Sequence, residues 1–200
     1  MKAKTLYVFR HGQTDFNREG KAHGRLDIPL NEIGRAQARE LAAALSDAGL
    51  EVIYSSPMSR TRETAEIVAE RHKGAEIRTH DGLKERDVGV MQGRVAETEF
   101  PDLYQKMYDP DFAPPGGGES FNDTRRRVLG AVMEIVKTTE RDTIGLSLHG
   151  GAMRGILQTL TGSAYPPHGV PNTAYYRMAW DGERLTLDGM PEWLAEGIIE

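Results

Sequence analysis

Four short apolar runs, each closing on a polar or glycine-bearing step, alternate along this chain with stretches of helical periodicity, and this alternation limits the fold more than any other feature. Leu6-Tyr7-Val8-Phe9 is the first run, and Asn31 can cap a following helix whose apolar positions Ala38, Leu41, Ala42 and Leu45 recur at helical spacing, with Gly49 as its stop. Val52-Ile53-Tyr54 is a second strand, after which Ser56-Pro57 has the form of an N-cap with a first-turn proline, opening a helix to about His72. Ile77 marks a third strand, a loop spans Leu83 to Gly93, and a helical segment follows near Phe100 to Tyr108. The Pro- and Gly-rich stretch Asp109 to Gly118 is a loop that ends at Ser120, a cap for a helix carrying Val128, Ala131, Val132, Ile135 and Val136 inward. Thr143 to Leu148 is a strand, Gly150 to Leu160 a helix, and Tyr175–Trp180 with Arg184–Leu187 a hairpin about Asp181-Gly182. Such a pattern predicts a three-layer α/β/α domain spanning residues 1–200, its sheet mostly parallel with an antiparallel end.

Composition excludes several classes. The 200 residues contain no cysteine, which removes thiol catalysis, zinc ribbons and a disulfide framework. A formal charge of −5 argues against a nucleic-acid or anionic-membrane surface. Met1 to Lys4 leads into an apolar run too short for a signal-peptide core, and no run could span a bilayer, so a cytoplasmic protein is expected. Arg10, Arg18, Lys21 and Arg25 outnumber Asp15 and Glu19, a local cationic excess able to focus a small anion.

Two strand ends carry chemistry. Arg10-His11-Gly12 follows the first apolar run, and His149-Gly150-Gly151 follows Thr143 to Leu148, each a histidine set where a glycine lets backbone approach an anion. A strand-end histidine can simply satisfy a hydrogen bond, but parallel strands deliver their C-terminal ends to one edge, so two such histidines can meet there. Arg60 lies in the first turn after the second strand and has only Thr64 four residues on, whereas Arg62 has Glu66 as a partner on a solvated helix face. Glu85, inside the charged run Lys84-Glu85-Arg86-Asp87, has by itself the look of an exposed carboxylate, and His72, His80 and His168 stand in no comparable setting. No His-Glu-x-x-His, carboxylate cluster or Walker-type loop suggests a metal or nucleotide.

Taken in order, Arg10-His11-Gly12-Gln13-Thr14 with Asn17, then Gly24 to Leu30, Ser55-Ser56-Pro57 with Arg60 and Glu63-Thr64-Ala65, Leu83 to Arg86, Pro115 to Ser120 and His149-Gly150-Gly151, the chain resembles the histidine phosphatase superfamily, the phosphoglycerate mutase-like proteins, along nearly its whole length. The resemblance implies a phosphoglycerate mutase-like fold and phosphorylation of His11 on a ring nitrogen, with Arg10, Arg60 and His149 around the phosphoryl oxygens. Fixed cations aimed at those oxygens stabilise the charge that spreads over them during transfer, and they also favour the neutral, nucleophilic form of His11. It implies Glu85 as the acid/base that protonates the departing oxygen and then takes a proton from water. Asn17 is implied to hydrogen-bond phosphate, and His23, Gly24 and Gly150 to contact substrate.

The chain departs from the family pattern at Leu148, where serine is frequent, with Ser147 one residue earlier and facing the other way. Val88 to Gly93 lacks the acidic and tryptophan residues frequent after the acid/base glutamate. The expected activity is metal- and cofactor-independent hydrolysis of a small phosphorylated metabolite, by a monomer or a homodimer. A mutase that returns the phosphoryl group to substrate, a silent phosphate-binding module and a metal-dependent phosphoesterase are the alternatives. Family mutases are usually longer, which favours the phosphatase.

Overall fold

The structure, a computed structural model, describes residues 2–162, 169–189 and 191. A six-stranded mixed sheet runs through the molecule in the order β3-β2-β4-β1-β5-β6, with β1 at Lys4–Arg10, β2 at Val52–Ser55, β3 at Glu76–Thr79, β4 at Thr143–Leu148, β5 at Tyr175–Trp180 and β6 at Leu185–Leu187. Strands β1 to β4 are mutually parallel, and β5 and β6 close one side antiparallel. Burial on both faces explains why β2 and β4 are near-continuous apolar runs.

Helices cover both faces. On one, α2 (Glu32–Ala44) and α3 (Ser59–Ala69) pack Leu41, Ala42, Leu45, Ala65 and Val68 onto Phe9 and Ile53. On the other, α6 (Phe121–Thr138) and α7 (Gly150–Thr161) bury Val128, Val132, Ile135, Met153 and Ile156 against Leu6, Val8, Ile144 and Leu146. Asn31 caps α2 by accepting from the Gly34 amide at 2.8 Å, and Ser120 caps α6 by accepting from Asp123 at 3.0 Å, as their sequence positions predict.

Three local expectations are corrected. The helix after β2 begins at Ser59 with Met58 at its cap and no side-chain capping bond, and the Ser56 hydroxyl lies instead 2.9 Å from His149 Nε2. The segment expected near Phe100 to Tyr108 starts earlier and is broken, into α4 (Ala96–Glu99) and α5 (Pro101–Lys106), since Pro101 cannot continue a preceding helix but suits a first turn. A one-turn helix, α1 (Asp15–Arg18), occupies what had no predicted element. Among the described residues no helix is long and apolar enough to cross a membrane. His168 lies outside them.

Candidate active site

Sheet register assembles the site. Arg10 of β1 pairs with Leu148 of β4, and Ser55 of β2 pairs with Ser147, so His11, Ser56 and His149 all stand one residue beyond the C-terminal ends of adjacent parallel strands. His11 and His149 are both buried, their ring centroids 5.3 Å apart in edge contact. The next residue, Gly12, has no room for a side chain: a Cβ there would lie 2.3 Å from the Gly34 carbonyl oxygen in the first turn of α2.

His11 is held in a single tautomer. Its Nδ1 is 2.7 Å from the Gly12 carbonyl, which only accepts, so Nδ1 carries the proton and Nε2 keeps a lone pair. Burial, and after it the positive charge of Arg10 and Arg60, holds the ring's pKa well below the ordinary histidine value. The Asn172 amide donates to the carbonyl of His11 at 3.0 Å and also to Asn17 Oδ1, a support with no sequence signal of its own.

Two arginines and the second histidine surround it. The Arg10 guanidinium donates through Nη1 to the Val170 carbonyl, and Arg60, at the second residue of α3, donates to the carbonyls of Leu26 at 2.8 Å and Gly24 at 3.3 Å. Burial draws both down to about 10, so both stay cationic at neutral pH. His149 Nε2 lies 2.9 Å from Ser56 Oγ. Three buried nitrogens, Arg10 Nε, Arg60 Nε and His149 Nδ1, have no partner among the described residues. A buried unsatisfied donor costs about 1–3 kcal/mol, so the two arginine Nε–H groups, with an unpartnered histidine nitrogen beside them, mark a place kept for an anion.

Glu85 is not the solvent-facing carboxylate of its charged run. Its carboxyl oxygens accept from the amides of Gly151 at 3.0 Å and Ala152 at 3.2 Å, in the first turn of α7, and from Arg86 at 2.9 Å. The glycine that this approach needs is Gly151, where a Cβ would meet Glu85 Oε1 at 2.5 Å; at Gly150 a Cβ would only touch Arg10 at 3.5 Å. His23 stacks at a tilt 5.9 Å from His11, bonds Thr14 Oγ1 through Nε2 at 2.5 Å, and is drawn down to about 3 by burial and then by Arg60 and Arg10. Gly24 enters through its backbone, as the acceptor for Arg60.

Asn17 stands apart from the residues lining the cavity. Its Oδ1 closes the capping box of α1 by accepting from the Thr14 amide at 3.1 Å, which leaves its Nδ2 hydrogens to offer an anion. The cationic excess after β1 is largely spent in pairs: Arg18 with Asp15, Lys21 with Glu19 and Arg25 with Glu119, so that of these four only Arg10 charges the pocket floor. Ser147 donates to the Thr61 carbonyl at 2.8 Å, away from His149.

Above this floor lies a cavity of about 260 Å³, lined by the polar side chains His23, Glu85 and Arg154 and by Val88, Met91, Ala96, Tyr104, Met107 and Tyr108. Ala96, Tyr104, Met107 and Tyr108 carry no motif that could have assigned them, and they come from the broken α4–α5 segment. No group of three or more His, Asp or Glu side chains suited to a metal occurs among the described residues.

The family model of the histidine phosphatase superfamily, branch 1, matches residues 6–192. The chain belongs to that superfamily. Within the superfamily it is 34% identical over 190 residues to phosphoglycerate mutase-like protein 4 of Arabidopsis thaliana, covering 91% of this chain and 82% of that one. It is 34% identical over 163 residues to a metal-independent phosphoserine phosphatase of the same plant, covering 78% and 68%. The solved structure of a mycobacterial glucosyl-3-phosphoglycerate phosphatase superposes with a TM-score of 0.81 at 27% identity, over 95% of this chain and 99% of that one. Membership in this superfamily, with its phosphatases and mutases, supports a phosphoryl hydrolase or transferase.

Proposed function

We propose that this protein is a metal-independent phosphomonoesterase that hydrolyses a small phosphorylated metabolite through a phosphohistidine on His11. The observation that carries the reading is an imidazole whose Nδ1 proton is committed to the Gly12 carbonyl, set among two buried and unpartnered arginine Nε–H groups and the unpartnered Nδ1 of His149. In the first step the Nε2 lone pair of His11 attacks phosphorus, and the bond from phosphorus to the leaving oxygen breaks as Glu85 supplies that oxygen with a proton. Arg10, Arg60 and His149 hold the three remaining oxygens, whose charge grows in the transition state. In the second step a water gives a proton to Glu85, its oxygen attacks phosphorus, the N–P bond breaks and inorganic phosphate leaves. Metal-independence is supported by the named phosphoserine phosphatase relative.

The test is a panel of phosphomonoesters with chelator present, following phosphate release and acid-labile protein phosphorylation in wild type and in His11→Ala. Turnover and adduct in the wild type, and neither in the variant, are expected. An adduct that survives in His11→Ala, or turnover abolished by chelator, refutes the reading.

A further inference from the structure

Glu85 is fixed at both ends, and only one end belongs to the site already described. Its carboxyl group rests on the first turn of α7. Its main-chain carbonyl accepts from Arg25 Nε at 2.8 Å and from Arg127 Nη2 at 3.2 Å, which fills both lone pairs. Arg127 also donates to the carbonyls of Gly82 at 3.0 Å and Lys84 at 2.9 Å, so one guanidinium grips three carbonyls of the segment that carries Glu85.

The two arginines share one anion. Glu119 receives Arg127 through two parallel bonds, Nε to Oε1 at 2.8 Å and Nη2 to Oε2 at 2.7 Å, and it pairs with Arg25 at 3.0 Å. The Glu119 carboxylate also accepts from the Asp87 amide at 3.2 Å, two residues past Glu85. Burial would raise its pKa, but the bond and charge of Arg127, the Asp87 amide and the charge of Arg25 hold it at about 2, so the cluster stays ionised across working pH. Arg127 is rooted in the 18-residue α6, and Glu119 precedes the Ser120 cap of that helix. Arg25 belongs to the loop that carries His23 and Gly24.

We infer that Glu119, Arg127 and Arg25 form a positioning device for the acid/base carboxylate, setting Glu85 against the reacting oxygen through its backbone while touching no substrate themselves. The inference rests on the phosphohistidine reading above. Its acceptors mark it as more than packing: four of its bonds end on the carbonyls of residues 82, 84 and 85, and none on the sheet. A displacement of about 1 Å in a reacting group can cost about 10²-fold in rate, within the 10²–10⁴-fold that a general acid/base supplies.

The test uses p-nitrophenyl phosphate, whose leaving group needs no proton, so that only the second step depends on Glu85. Wild type, Glu85→Gln, Glu119→Gln, Arg127→Lys and Arg25→Lys are mixed with it in a stopped-flow instrument, with phosphohistidine counted by rapid quench. Glu85→Gln sets the reference: a burst of one nitrophenolate per competent chain, accumulated phosphohistidine and slow turnover. Glu119→Gln and Arg127→Lys are expected to raise the ratio of burst rate to steady rate at least tenfold over wild type, and Arg25→Lys, on the more exposed arm, severalfold. Burst amplitude counts the folded fraction, so loss of stability alone lowers the amplitude and leaves the ratio unchanged, which overturns the inference. If Glu119→Gln fails to fold, Arg25→Lys decides by the same ratio. Absence of an adduct in both wild type and Glu85→Gln refutes the phosphohistidine reading instead.

Discussion

Replacing Gly12 by alanine tests the packing that holds His11. The added methyl would stand 2.3 Å from the Gly34 carbonyl oxygen and 2.9 Å from its Cα, where ordinary contact begins at 3.4 Å, so the two backbones must part by about 1 Å. Neither side is free to yield. Gly34 lies in the first turn of α2 under the Asn31 cap, with its own missing Cβ directed at the Gln13 carbonyl, and the Gly12 amide is tied to Thr64 Oγ1 at 3.2 Å. Overpacking of this kind costs about 1–3 kcal/mol, and loosening the bond from His11 Nδ1 to the Gly12 carbonyl adds about 0.5–1.5 kcal/mol. A total of about 2–4 kcal/mol lowers the melting midpoint of a chain this size by about 5–15 °C. The same strain releases the Nδ1 proton from its acceptor, so the phosphorylation rate of His11 should fall at least tenfold in the surviving folded fraction. Calorimetry gives the first quantity and single-turnover quench the second. A Gly12→Ala protein that melts within 2 °C of wild type and phosphorylates at the wild-type rate would refute the argument that this contact orders the site.

Gly130 is the opposite case, an exposed position inside α6 where an added Cβ meets nothing within 4 Å; Gly130→Ala should raise stability by about 0.5–1 kcal/mol, and a lower melting midpoint would contradict this. His11, His23 and His149 all have folded pKa values below the ordinary histidine value, so the unfolded chain binds more protons than the native one as pH falls through about 6.5, and stability is present above that pH and lost below it. At about 1.4 kcal/mol per group over the first pH unit below 6.5, urea titrations at pH 7.5 and 5.5 in phosphate-free buffer should differ by about 4 kcal/mol; equal stabilities would show that these rings are not held neutral. Ser56 Oγ can accept from the Met58 amide at 3.5 Å while giving its proton to His149 Nε2, which leaves His149 Nδ1 as the donor to the anion. Ser56→Ala should therefore weaken inhibition by inorganic phosphate about 3–10-fold, the worth of one hydrogen bond, and an unchanged inhibition constant would remove Ser56 from that role.

The legible parts of this fold are those where local and tertiary preferences agree. Leu6 to Phe9, Val52 to Tyr54 and Thr143 to Leu148 are strands because their apolar residues suit a sheet covered on both faces, and Asn31 and Ser120 cap where the pattern places them. Ser56 is not the cap, because the helix starts two residues past Pro57, and its hydroxyl has a histidine partner 93 residues away that no local pattern can show. The helix α1 has no sequence signal because one turn carries no period, and its capping box closes with Asn17 where the usual signal is Glu or Gln. The cations after β1 looked like an anion focus because Arg25 finds Glu119 only through the fold, whereas the pair of Arg18 with Asp15 was within reach of sequence.

The site divides along the same line, and the division explains which half of the chemistry could be read. His11 and His149 follow strands whose register is fixed by burial on both faces, and a one-residue slip would exchange those faces, so their meeting is a consequence of the sheet. Glu85 has no such determinant. It reaches α7 because Gly151 leaves room for its carboxyl group and because Arg127 and Arg25 hold its carbonyl, partners 42 to 66 residues away in both directions. The cavity wall of Ala96, Tyr104, Met107 and Tyr108 is one step further removed, carried on two short helices and the turn that follows them, outside the sheet, and the helices have no buried residue of their own. The paired histidines thus stand at positions that the sheet cannot change without unfolding, while this part of the cavity wall rests on a segment that can change its side chains at little cost to the core.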